Sequence, residues 1–255
     1  MLPAERHSRI EEALRASRIV STDDLAREFG VSAETIRRDF VLLERQGALA
    51  RVHGGATSAL GRAAGEEAPF AERAESAAEA KKRIGRTAAA LVRPGQTIVI
   101  DVGTTAVGMA RALPHDFSGT VATCSLLVAA ELAERPGIDV LVCGGRLRGG
   151  DLALSNSIAQ SFFADLHPDV AFLGSGGVDA AAGLTDYHLD EVAVRRVILR
   201  NAPLAYVLAD SSKFGRVVRH RVAGVDEFAG FITEAEPPPD VHDAITRKGG
   251  VIISS

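Results

Sequence analysis

The stretch VSAETIRRDFVLLERQGALARVHGGA, residues 31–56, holds a helix start, a helix, a helix stop and a strand turn in unbroken succession. Ser32 is a residue type that caps helix N-termini. Behind it Ile36, Phe40 and Leu43 fall at i, i+4 and i+7 and so share one buried stripe. At about 100° per residue, Arg38 projects almost opposite that stripe and Arg37 lies on its flank. Gly47 ends the helix, and residues 48–55 alternate and then turn, as a β-wing does. Upstream, Ser21, Thr22, Asp23 and Asp24 fit a capping box. That box opens a short helix through Leu25, Ala26 and Phe29, and Gly30 supplies the tight turn after it. Residues 5–16 carry Ile10, Ala13 and Leu14 at helical spacing, enough for one more helix. Two short helices joined by a tight turn, the second showing Thr35, Arg37 and Arg38 to solvent, predict a helix-turn-helix DNA reader, with Arg51 and His53 of the wing near the phosphate backbone.

Charge alone does not argue for DNA. Residues 1–57 carry nine Arg and nine Asp or Glu, so this segment has no net charge, and the whole chain stands at −4. Two adjacent arginines on a helix are most often a solvated face. The reading rests on where the arginines point, because phosphate contacts position a protein whereas base-edge contacts specify the site.

Composition changes near residue 57. TSALGRAAGEEAP, residues 57–69, is small and polar with Gly61, Gly65 and Pro69, as a linker is. The expected division is a reader over 1–57, a linker over 58–75 and a second domain over 76–255. In the second domain apolar runs at 97–101, 120–123, 139–143, 170–173, 204–210, 228–233 and 251–253 read as strands. Helical stretches at 78–91, 106–113, 126–133, 158–166 and 191–199 lie between them. This alternation predicts an open, mostly parallel sheet with helices on both faces. Ligands of such sheets bind beyond the carboxyl ends of the strands. There the chain places Asp101-Val102-Gly103-Thr104-Thr105, Thr123-Cys124-Ser125, Gly144-Gly145, Ser175-Gly176-Gly177 and Asp210-Ser211-Ser212-Lys213. Any one such loop is more often a plain turn. Five together suggest a pocket for a small polyhydroxylated, phosphorylated ligand, with an anion at a helix N-terminus.

The 255 residues are 46% hydrophobic and 24% charged, which is ordinary for a folded chain. Cys124 and Cys143 match no zinc spacing and suit a reducing compartment. Residues 1–10 carry Arg6, His7 and Arg9 with no apolar run behind them, and no stretch is apolar enough to span a membrane. A cytoplasmic protein with no metal, no cofactor and no membrane partner is therefore expected.

Residues 31–56 resemble the signature of the DeoR family of bacterial sugar-metabolism regulators. That signature runs V-S-x-x-T-I-R-R-D-L, then a Leu-Glu pair and a Gly, then R-V-H-G-G-A, and Phe40 stands where Leu is usual. The likeness continues through Phe70-Ala71-Glu72-Arg73, Lys81 with Ile84, DVGTT at 101–105, Gly144-Gly145, Asp169 with AFLG, Gly183-Leu184-Thr185, Glu191 with Arg195-Arg196, and DSSKFG at 210–215. It implies an α/β chain: a small N-terminal winged helix-turn-helix domain plus a larger Rossmann-like sensor domain resembling ribose-phosphate isomerase. By the resemblance, Ser32, Thr35, Arg37 and Arg38 carry the recognition-helix contacts and Arg51, His53, Gly54 and Gly55 the wing. Gly103, Thr104, Thr105 and Lys213 would hold a phosphate, with Asp101, Ser125, Gly144 and Gly145 lining the sugar. Two departures touch this pocket: Thr-Asn-Ser is common where Thr123-Cys124-Ser125 stands, and a Gly is usual near Asn156.

The resemblance implies a repressor of a sugar or polyol catabolic operon, released from double-stranded operator DNA by a phosphorylated sugar or polyol. A homo-oligomer, dimer or tetramer, is expected because one short reader covers too little DNA and paired half-sites supply the rest. The alternative is a sugar-phosphate isomerase-like enzyme, for which Asp101, Asp186, His188, Glu191, Asp210 and Lys213 are acid/base candidates. An isomerase has no evident use for a DNA reader, so a non-enzyme is expected.

Overall fold

The computed structural model describes residues 2–17, 19–45, 48–52, 54–58 and 67–255. Two compact units divide the chain, Met1–Glu66 and Glu67–Ser255. The second begins inside the stretch that composition assigns to the linker.

The first unit runs α1 (Pro3–Ser17), β1 (Ile19–Ser21), α2 (Thr22–Phe29), α3 (Ala33–Arg45), β2 (Leu49–Val52) and β3 (Gly55–Ser58). Ser21 Oγ accepts from Asp24 N (3.4 Å) to start α2, and Gly30, at φ 64, ends it. Asp24 turns its carboxylate to Arg27. Ser32 Oγ accepts from Thr35 N (3.1 Å) and so caps α3. Ile36, Phe40 and Leu43 are buried against Ile10 and Leu14 of α1 and Leu25 and Phe29 of α2, which is the stripe their spacing predicts. β2 and β3 form the antiparallel wing, and β3 also pairs with β1, giving the order β1-β3-β2. Gly55 is where the wing meets β1: a Cβ there would stand 2.0 Å from Val20 O, so only glycine allows the pairing.

The second unit opens with α4 (Phe70–Glu75) and α5 (Ala78–Ala89). It continues through β4 (Thr97–Ile100), α6 (Thr104–Ala112), β5 (Gly119–Thr123), α7 (Leu126–Leu132), β6 (Ile138–Val142), β7 (Arg146–Arg148), β8 (Ala153–Ser155) and α8 (Ser157–Ala164). Then follow β9 (Val170–Leu173), β10 (Gly177–Asp179), β11 (Gly183–Asp186), α9 (Leu189–Asn201), β12 (Ala205–Leu208), β13 (His220–Ala223), β14 (Gly230–Thr233), α10 (Pro239–Thr246) and β15 (Val251–Ser254). The seven strands read from the apolar runs form one parallel sheet in the order β15-β14-β12-β9-β4-β5-β6. Alternate residues of each strand enter cores on opposite faces. Ile98 and Ile100 pack with α5, α6 and α7 through Ile84, Ala88, Met109, Ala110 and Val128. Val99 joins the other core, with Phe163 of α8, Val192 and Ile198 of α9 and Ile245 of α10. α5 and α6 touch backbone to backbone, because a Cβ on Gly85 would lie 2.7 Å from Gly108 C.

Two antiparallel pieces fall outside the periodic reading. The β7–β8 hairpin lies over the loop after β5, with Leu126 N bonding Leu152 O and Leu154 N bonding Cys124 O (3.0 and 2.7 Å). β10, β11 and β13 form a separate small sheet. Asn156, near the position where the resembling family uses Gly, has φ 103 and ψ −169, and its Oδ1 caps α8 by accepting from Ile158 N (2.9 Å).

Among the described residues no helix is long and apolar enough to cross a membrane.

Candidate functional site

The exposed face of α3 carries Arg37 and Arg38, whose side chains are 62% and 79% exposed. One carboxylate, Glu34, lies 3.6 Å from Arg37 and 3.5 Å from Arg38. Such surface pairs are weak and exchange readily for a stronger anion. Thr35 Oγ1 lies 2.8 Å from Ser32 Oγ at the helix start. Arg51 on β2 is held by Glu44, which accepts from its backbone N (3.0 Å) and its Nε (2.7 Å). Gly54, at φ 78, makes the wing turn and its carbonyl accepts from Thr22 N (2.9 Å). Both wing glycines therefore have backbone reasons for their identity. His53 lies outside the described residues.

Sequence reasoning passed over the anchor beneath α3. Asp39 points inward, accepting from Arg6 Nε (2.5 Å) and Nη2 (2.9 Å), with His7 Nε2 2.9 Å away. Burial pushes the Asp39 carboxyl up, and the hydrogen bonds from Arg6 and His7 more than reverse this, leaving it below its ordinary value. The pair ties α1 to α3 about 100° round the helix from Arg38. The only signal in sequence was an Asp between an arginine pair and an apolar residue.

In the second unit β4 is the topological switch point. The strands β5 and β6 extend the sheet to one side of it, and β9, β12, β14 and β15 to the other. A small cleft of about 40 Å³ opens beyond the carboxyl ends of β4, β9 and β12, the place such sheets offer a ligand. Val102, Gly103, Thr104, Thr105 and Ala106 line one wall, where α6 begins. Gly103 has φ 116 and ψ 168, open to glycine alone, and aims the first turn of α6 at the cleft. The first backbone bond of α6 runs from Val107 N to Gly103 O (3.1 Å), and among the described residues no side chain caps the amides before it. Those amides and the helix dipole make an anion site. Lys213, on the short 3-10 turn after β12, lines the same cleft. Among the described residues its ammonium has neither a hydrogen bond nor an ion pair. Burial holds Lys213 below its ordinary value, against the pull of Asp210.

Besides Gly174, Ser175 and Leu208, the remaining lining is ionic: the acids Glu67, Asp151, Asp186 and Glu191, and the bases Arg73, Lys81 and Arg195 beside Lys213. Asp151 arrives on the tip of the β7–β8 hairpin and pairs with Arg73 and with Arg148 (Nη2 3.2 Å). Glu191 accepts from Arg148 Nε (2.6 Å), yet burial keeps its carboxyl above the usual range. Lys81 is brought down to about 8 by burial, with Asp210 opposing and Lys213 and Arg73 adding to the fall.

Of the positions the resemblance assigns to an effector, Gly103, Thr104, Thr105 and Lys213 meet in this cleft, and the other four lie elsewhere. Asp101 is 1% exposed and sits beneath the floor, its Oδ2 accepting from Arg195 Nε (2.5 Å) and Gly174 N (2.9 Å). Ser125 is fully buried under the hairpin, bridged to Ala153, and caps α7 by accepting from Val128 N (3.2 Å). Gly144 and Gly145 begin the hairpin, and a Cβ on Gly145 would lie 2.6 Å from Ser155 O. One of the five strand-end loops is thus covered by an element that periodicity did not reveal, and a second leads into that element. Among the described residues no group of His, Cys, Asp and Glu is placed to hold a metal ion.

Residues 6–60 match the model of the DeoR-like helix-turn-helix domain, and residues 76–235 that of the DeoR C terminal sensor domain. The chain is 31% identical over 246 residues to the glycerol-3-phosphate regulon repressor of Escherichia coli, covering 96% of each chain. It is 33% identical over 253 residues to the HTH-type transcriptional regulator GlpR of Haloferax volcanii, covering 99% of this chain and 98% of that one. Among solved structures, ribose 5-phosphate isomerase A of Methanocaldococcus jannaschii aligns over 54% of each chain at 18% identity and a TM-score of 0.40. The translation initiation factor eIF-2B of Pyrococcus horikoshii aligns over 65% of this chain and 67% of that one, at 18% identity and a TM-score of 0.46. With both domain models matched in order along one chain, this protein belongs to the DeoR family.

Proposed function

We propose that the protein is a repressor of a sugar or polyol catabolic operon, released from its operator by a phosphorylated sugar or polyol. The reader binds double-stranded DNA as part of a homo-oligomer, with α3 in the major groove and the wing along the backbone. Ser32 and Thr35 at the helix start, Arg37 and Arg38 on its face, and Arg51, His53, Gly54 and Gly55 of the wing make up the contact surface. The sensor takes the phosphate at Gly103, Thr104, Thr105 and Lys213. One observation carries the effector half: an uncapped helix N-terminus and an unpaired lysine line the same cleft. A dianion satisfies both at once. The full-length likeness to a glycerol-3-phosphate regulon repressor supports the class of ligand.

The test is a fluorescence-anisotropy titration on the DNA upstream of the protein's own gene, challenged in turn with glycerol, fructose, deoxyribose and amino-sugar phosphates. Tight sequence-specific binding, reversed by a phosphorylated compound and not by its dephosphorylated form, is the expected result. Arg38→Ala abolishes operator binding and keeps effector binding, and Lys213→Ala does the reverse. Specific DNA binding that no phosphorylated metabolite perturbs would overturn the effector half. Turnover in a solvent-proton exchange assay with the same sugar phosphates would replace this reading with an isomerase, for which Asp186 and Glu191 line the cleft.

A further inference from the structure

α4 is attached to the sensor unit by charge and hardly by packing. None of its side chains is buried, and only Phe70 packs in part against the core. Glu67, the first residue of the unit, lies in the cleft and holds Arg73 Nη1 (3.1 Å) and His188 Nε2 (3.1 Å), with Arg148 Nη2 3.8 Å away. Arg73 also pairs with Asp151 and donates from Nε to Ala68 O (2.8 Å). Lys81 Nζ donates to Arg73 O and to Ser76 O (2.8 Å), the carbonyl end of α4. Beyond that end, Ala77 sits at φ 52 and ψ 35, a left-handed conformation that a residue with a Cβ adopts reluctantly. The joint between α4 and α5 is therefore strained, and polar contacts hold it shut.

Every group in this clasp except His188, Arg148 and the backbone carbonyls lines the cleft that the proposed function gives to a phosphate. With four acids against four bases, the lining is balanced as it stands. With Glu67 in place, an incoming dianion therefore finds only Lys213 unpaired among the basic side chains of the lining. It competes with Glu67 for Arg73, and with the α4 carbonyls for Lys81. We propose that residues 67–76 form a latch in which Glu67 is the resident anion of the effector cleft, expelled when a phosphorylated effector binds. Its expulsion frees the chain at the first residues of the sensor unit. The latch rests on the reading of this cleft as an anion site.

Hydrogen–deuterium exchange of the full chain tests it, with inorganic phosphate and sn-glycerol 3-phosphate as probes alongside calorimetric titration. Saturating probe is expected to raise exchange at residues 70–76. Glu67→Gln is expected to show that faster exchange without any probe and to bind the probe about tenfold more tightly, because one repelling charge at short range is gone. Lys213→Ala is expected to lose probe binding while residues 70–76 stay slow. Two results refute the latch alone: binding that needs Lys213 yet leaves residues 70–76 unchanged or more protected, and a Glu67→Gln variant matching wild type in both affinity and exchange. Binding that ignores Lys213→Ala, or no binding in any form, removes the anion site and the latch with it.

Discussion

Asp101→Asn separates a ligand-lining role from the internal one the structure gives this residue. Asp101 and Arg195 are 1% and 3% exposed, and Arg195 Nε stands 2.5 Å from Asp101 Oδ2. Burial drives the Arg195 guanidinium down, and Asp101, Asp186 and Glu191 together more than restore it. Removing one partner of a buried pair typically costs about 3–5 kcal/mol, because the other charge is left uncompensated. Asp186 Oδ2 remains 2.6 Å from Arg195 Nη1, and an asparagine oxygen still accepts from Gly174 N, so the lower end, about 3 kcal/mol, is expected. With a urea slope of about 3 kcal/mol/M for a domain of this size, the midpoint falls by about 1 M. Far-UV circular dichroism is the appropriate probe, since the chain has no Trp and only two Tyr. Arg195→Met and the double variant complete a cycle, in which the double loses far less than the sum. A midpoint within about 0.3 M of wild type, strictly additive losses, or lost phosphate affinity at unchanged stability would each refute the reasoning.

Other outcomes follow from single observations. Asn156→Gly is expected to stabilise the sensor by about 1 kcal/mol in the same unfolding assay, because relief of the strained backbone outweighs the few tenths lost with the cap. Asp39→Asn is expected to lower stability by about 3 kcal/mol and to weaken operator binding in the anisotropy assay, though Asp39 touches no DNA in the proposed complex. The His188–Glu67 pair sets a pH window. The hydrogen bond to Glu67 raises the His188 value, with Glu191 helping and burial and Arg148 opposing. Its contribution is therefore complete below the unfolded value of about 6.5 and is lost as pH rises through the raised folded value. Glu67 is held below its ordinary value because His188, Arg73 and Arg148 outweigh burial, so its share disappears at the acid end, as pH falls through that lowered value. Unfolding curves of wild type and His188→Asn should differ near pH 6 and converge near pH 8.5, and a constant gap across that range would contradict the pairing.

The reader was legible because its signals are local. The Ser21 and Ser32 caps, Gly30 and the Ile36, Phe40, Leu43 stripe all act within a few residues. The inner sheet strands were legible because strands buried on both faces are nearly continuous apolar runs, and the half-exposed edge strands β6 and β15 keep apolar runs too. The β10, β11 and β13 strands are three or four residues long and rich in Gly, Asp or Arg, so no period of two stands out. The hairpin over Ser125 was hidden for the same reason. The cleft was half legible: a glycine-threonine helix start reads locally, whereas Glu67 meets His188 across 121 positions and Asp101 meets Arg195 across 94. Pairings of that separation follow from topology, which a pattern of residue types does not contain.

Glu34 between Arg37 and Arg38 bears on how such a reader searches a chromosome. A protein that attracts phosphates through a strong basic field sticks to bulk DNA, and the genome then acts as a vast competing sink. Here the two arginines share one carboxylate, within a segment whose arginines and carboxylates are equal in number. In the proposed complex, the groove that holds the protein is one that offers both arginines better acceptors than Glu34.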